Sequence, residues 1–81
     1  TAAAADGQPN NLLTMSPKVC KRGAEIVRSL TSEGWRLKNR EPVFDSYVLE
    51  NRHGDIISVH LVPNAVRLFR NGLLKKIEVV T

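Results

Sequence analysis

Arg36, Lys38 and Arg40 alternate with Trp35, Leu37 and Asn39. In an extended strand, residues two apart project from one face about 6.6–6.8 Å from each other. The spacing therefore predicts a first strand from Trp35 to Arg40, one face mostly apolar and the other wholly basic. Phosphates along a single nucleic-acid strand lie at comparable separations, so such a ladder can track a backbone. Sequence-tolerant binders of this kind add aromatic side chains on which bases stack. Tyr47 is the outward-facing aromatic in this reading, whereas Trp35 and Phe69 are assigned to the core. His60 is expected beside the ladder, together with Ser46 and Ser58, on one open sheet face. A second cationic group, Lys18, Lys21, Arg22 and Arg28, decorates the first predicted helix, either as a further contact or as a solvated face.

Other chemistries fail on residue type or spacing. Ser58 and His60 share one strand with no nucleophile elbow, so no serine triad is formed. There is no glycine-rich phosphate loop. Cys20 is the one cysteine and His53 and His60 are the two histidines. That inventory excludes an internal disulfide and a cysteine-rich zinc cluster, and Cys20 is expected half-buried on a helix. No enzyme, cofactor or metal is expected. Twelve Lys and Arg against eight Asp and Glu give a net charge of +4, which permits an anionic partner without requiring one. No apolar run approaches the roughly 18 residues that span a bilayer, and no signal-peptide pattern is present. A chain that starts at Thr1 without Met is expected to be part of a longer polypeptide.

These residues need elements to hold them, and 81 residues suffice for one domain with a limited core. Residues 1–11, four alanines followed by Asp-Gly-Gln-Pro-Asn-Asn, are expected to be a flexible linker, and 12–81 the folded domain. Leu12 to Met15 suits a short edge strand or a packed lead-in. Ser16-Pro17 is a helix start, and Val19, Gly23, Ile26, Val27 and Leu30 follow helical spacing up to a stop at Gly34. Gly23 in mid-helix costs about 1 kcal/mol relative to Ala. Either the helix packs closely on the sheet there, or it begins near Gly23. Strands are predicted from Val43 to Leu49 and from Asp55 to Val62, joined by a turn over Asn51–Gly54. Pro63 or Asn64 then reads as the start of a short second helix, with Gly72 as its left-handed stop and Leu73 folding back onto Leu68. A last strand runs from Leu73 or Leu74 to Val80. The order helix, three strands, helix, strand implies an α+β two-layer sandwich, two helices on one face of an antiparallel sheet.

Leu13-Thr14-Met15, the helix end Arg28-Ser29-Leu30, and Pro63-Asn64-Ala65-Val66 running on to Asn71-Gly72-Leu73 resemble a known family. It is the C-terminal subdomain of the SARS-unique domain, from the large multidomain non-structural protein of betacoronavirus replicase polyproteins, with a bat virus as the expected source. The similarity covers residues 12–74 through scattered positions, and the stretch from Met15 to Arg28 is shorter than in the SARS version. The resemblance implies a frataxin-like fold and a non-enzymatic, monomeric accessory module, with the polyprotein's papain-like protease elsewhere. It implies weak binding of single-stranded RNA and modulation of RNA recognition by neighbouring domains of the same polyprotein. Residence on the cytosolic side of virus-induced replication membranes in the host cell cytoplasm follows from the same likeness. Frataxin's iron chemistry does not carry over, because the first helix has only Glu25 and Glu33 as acids. The alternative is a structural or protein-interaction spacer that binds no nucleic acid.

Overall fold

Ser16 starts the helix that the sequence places there. Its hydroxyl Oγ accepts the Val19 N–H at 3.1 Å, and Pro17 occupies the first turn, where a missing N–H leaves no bond unmade. The computed structural model describes residues 16–41 and 45–80. The expected linker at 1–11, the lead-in at Leu12–Met15 and the start of the second predicted strand at Val43 and Phe44 lie outside the described residues. Helix α1 spans Pro17–Ser32. It ends in a Schellman motif: Gly34, at φ 102°, donates to the Thr31 carbonyl, and Trp35 donates to that of Leu30. Mid-helix Gly23 has a packing reason. A Cβ built there would stand 2.5 Å from Leu61 Cδ2, so the helix begins at Pro17 and the glycine lets it settle onto the sheet.

Five strands follow: β1 Arg36–Glu41, β2 Ser46–Glu50, β3 Ile56–Val62, β4 Ala65–Arg70 and β5 Leu73–Val79. Each pairs antiparallel with the next, giving the sheet order β1-β2-β3-β4-β5. Alternation then separates the side chains. Leu49, Ile57, Val59, Leu61, Val66 and Leu68 share the face toward α1, with Leu49 opposite Ile57, Val59 opposite Leu68 and Leu61 opposite Val66. Val19 and Ile26 of α1 close the core over Leu49, Val59, Leu61 and Val66, and Trp35, Leu30 and Tyr47 pack around it. The helix lies over β3 and reaches β1 and β4.

The expected second helix does not exist, so the two-helix frataxin-like sandwich is corrected to one helix on a five-stranded meander. Residues 62–74 form a turn at Pro63-Asn64, strand β4, and a turn at Asn71-Gly72. Three physical causes favour the strand. Ala65–Arg70 alternates with a period of two, Val66 and Leu68 inward against Arg67 and Phe69 outward. The nine residues from Pro63 to Asn71 make only about two and a half helical turns, too few for a helix to offset the cost of nucleation without strong packing. Asn71 and Gly72 sit at φ 50° and 85°, the paired positive values of a type I′ hairpin turn rather than a helix stop. Pro63 supplies the preset φ of a turn's second position. Cys20 differs as well, being exposed rather than half-buried.

Candidate interaction face

The cationic ladder is split by a bulge. Between Leu37 and Asn39 the β1–β2 register shifts by one residue, and one extra residue reverses which side the following side chains take. Arg36 stands opposite Glu50, on the face away from the helix, whereas Arg40 stands opposite Tyr47 on the helix side. Lys38, at the bulge, brings its ammonium 3.9 Å from Glu50, and Arg40 lies 3.6 Å from Asp45. Tyr47 is not outward: it packs on the core with the Arg40 guanidinium 4.3 Å above its ring. On α1, Lys18 and Lys21 are exposed, while Arg22 is half-buried and pairs with Glu25 and Glu78. The eight expected contact residues therefore divide among the helix (Lys18, Lys21 and Arg22), the helix side of the sheet (Arg40 and Tyr47), the bulge (Lys38) and the far sheet face (Arg36 and His60).

No described helix packs on that far face, yet Ser46 on it is only 4% exposed. His60 lies opposite Ser46 and Arg67, and Ser58 opposite Val48 and Phe69, so Ser46, Ser58 and His60 do share it. Phe69, expected in the core, stands here instead, its ring 4.8 Å from that of His60. Leu74 pairs with Phe69, Ile77 with Arg67 and Val79 with Ala65, which brings three large aliphatics of β5 onto the same face, 48%, 52% and 68% exposed. Burial, then the Arg67 charge, holds the His60 imidazole below its usual range.

Two polar ties set the ends of β5. At the hairpin end, Asp55 accepts hydrogen bonds from Asn51, Asn71 and Arg70, which hold its carboxyl below the ordinary range. Asn71 Oδ1 also accepts the Ile56 N–H at 2.9 Å, so the β4–β5 turn is fastened to the start of β3. At the other end Arg22 reaches from α1 to both carboxylate oxygens of Glu78, its NH2 3.2 Å from Oε1. This contact lowers the Glu78 pKa and raises that of Arg22. Lys76 lies 3.7 Å from the same carboxylate.

Among the described residues no three His, Cys, Asp or Glu side chains group to hold a metal. A cleft of about 510 Å³ beside Trp35 is lined by Glu33, Gly34, Asn51, Arg52 and His53, a set without a nucleophile for His53 to activate. No described helix is long and apolar enough to cross a membrane. Among the described residues the fold is an antiparallel meander backed by a helix on one side. The chain matches no family model, no curated protein and no solved structure. The segments that suggested the viral subdomain, Pro63–Val66 and Asn71–Leu73, are turns and strand ends here. Their role in a second helix falls away, and the functional reading rests on the residues alone.

Sequence reasoning missed half-buried Phe69 and exposed Leu74, Ile77 and Val79 as residues of the far face. One signal was in reach: Asn-Gly between two alternating runs is the strongest short-range hairpin mark. Read so, it turns Phe69 and Leu74 into cross-strand partners on one face.

Proposed function

We propose that this domain is a non-enzymatic docking module that takes up an extended polypeptide along the outer edge of β5. The observation that carries this reading is the exposure of Leu74, Ile77 and Val79 on an edge strand of seven residues. Such an edge has unpaired N–H and C=O groups in a row, a template for an added strand. In strand addition the main-chain bonds supply affinity, and alternate side chains supply selection. Leu74, Ile77 and Val79 widen the contact on the face away from α1, since exposed apolar surface marks interaction sites on small proteins. Neighbouring domains of a longer polypeptide are one source of such a strand.

Single-stranded RNA is the competing ligand. Its case rested on three cations sharing a face, and the bulge at Lys38 divides them. A random-peptide display library selected on the immobilised 81-residue chain, followed by amide-shift mapping of the recovered peptides, tests the proposal. Recovered peptides should shift the amides of Phe69 and Ile77 to Val79. Selected peptides that leave β5 unshifted overturn the reading. So does a purine-rich RNA oligonucleotide that shifts Arg36 to Arg40 at low salt while no peptide touches β5.

A further inference from the structure

Resting on that reading, we infer that the strand β5 accepts is β5 of a second copy, in an antiparallel register centred on Ile77. Two antiparallel strands related by a two-fold axis place the central residue opposite itself, with flanking residues exchanged symmetrically. The sequence of β5, Leu-Leu-Lys-Lys-Ile-Glu-Val, leaves few permitted centres. A two-fold at Lys75, Lys76 or Glu78 sets a charge directly against its own copy, which is destabilising. Centring on Leu73 or Leu74 runs one end of the pairing into the Asn71-Gly72 turn. Centring on Val79 leaves half of the pairing beyond the strand's end.

Ile77 satisfies both conditions. Ile77 then meets Ile77 of the second copy on the face away from α1. Lys76 meets Glu78 of the second copy, and Glu78 meets the second Lys76, both on the helix side. Opposite charges directly across a strand pair are favourable. The same Lys76 and Glu78 already lie 3.7 Å apart within one chain, so exchange adds partners without desolvating an unpaired charge. The two-fold is perpendicular to the sheet, so both helices lie on one side of a continuous ten-stranded sheet. This arrangement replaces the expected monomer. A contact along one short strand is of the small, transient class, with dissociation in the micromolar range or weaker, above about 1 µM.

A charge exchange tests the register. In a homodimer Lys76→Glu opposes two acids across the interface, and Glu78→Lys opposes two lysines, so sedimentation velocity should show each variant monomeric while the unaltered chain is in reversible monomer–dimer equilibrium. Mixed in equal amounts, the two variants restore both opposite-charge pairs and should sediment as a heterodimer. Because Glu78→Lys also removes the Arg22 contact, Ile77→Lys serves as a second disrupting variant at an exposed position, with circular dichroism checking the fold of each. An unaltered chain that stays monomeric to about 1 mM, roughly the millimolar end of measurable affinity, overturns the inference. Single variants that still dimerise, or a mixture that stays monomeric, overturn it too. If displayed peptides still dock on β5 in any of these cases, only the second copy falls and the docking reading stands. If neither peptides nor a second copy engage β5, both fall.

Discussion

The two outer strands of the described sheet share charge and a bulge but differ in the apolar surface they expose. β1 exposes Arg36, Lys38 and Arg40 along six residues, bends at a bulge, and ties two of those charges to Glu50 and Asp45. Charge and a bulge are the usual means of keeping another chain from adding to an edge. β5 also has lysines and a register shift, beside Lys75. Yet Leu74, Ile77 and Val79 remain exposed on the face away from α1, and its one acid is held from behind by Arg22. The lesson concerns where the cations lie. Net positive charge suggested an anionic ligand, but two of the β1 cations are paired with Glu50 and Asp45, and the exposed large aliphatics gather on β5.

The comparison can be broken at several points. The largest effect is expected in the core that both edges flank. Leu49→Ala, at a fully buried β2 position, should cost about 2–5 kcal/mol in urea denaturation. Ile77→Ala on the edge should change monomer stability by less than about 0.5 kcal/mol. Equal losses would mean that β5 is part of the core, not a free edge. Next comes the turn that launches β5. Asn71→Ala forces a side chain without hydrogen-bonding capacity to hold φ 50° and strips the Ile56 N–H of its acceptor, a loss of about 1–3 kcal/mol. No measurable loss would argue against the type I′ turn.

A third test sets the edges directly against each other. Ile77→Lys should weaken docking of a β5-selected peptide at least tenfold, about 1.4 kcal/mol, while Leu37→Lys on β1 leaves it within about twofold. Fluorescence anisotropy of the labelled peptide reads both. The smallest effect is the pH response. His60 has a lowered pKa in the fold, so on acidification the unfolded chain takes up its proton first. The stability contribution is present above about pH 6.5 and is lost as the pH falls through the folded value. His60→Gln should flatten that slope in denaturation curves taken from about pH 5 to about pH 8. Glu78, also lowered, should lose its tie to Arg22 only below the ordinary carboxylate range.

Much of the molecule was legible in sequence where signals act over a few residues. The Ser16-Pro17 start, the Gly34 stop and the stripe of Val19, Gly23 and Ile26 predicted α1, and alternation in Ile57, Val59 and Leu61 predicted β3 and its inward face. The same local grammar misled at residues 62–74, because Pro63 and Gly72 punctuate a turn as readily as a helix. A Schellman stop does occur, at Gly34 and Trp35, and not at Gly72. The candidate site was less legible. Parity counted from Trp35 put Arg36, Lys38 and Arg40 together, and a single inserted residue at the bulge undid it.

By itself the sequence determined the capped helix, the alternating strand β3 and the turn over Asn51–Gly54, since each follows from residue types within a few positions of one another. Only the tertiary structure decided that Ala65–Arg70 is a strand, because its stability comes from β3 and β5 on either side. The same holds for the face of Arg40, the placement of Phe69 on the far face and the status of β5 as the last strand of the described sheet. All of these depend on which strands become neighbours, and that pairing is settled by contacts between residues far apart along the chain.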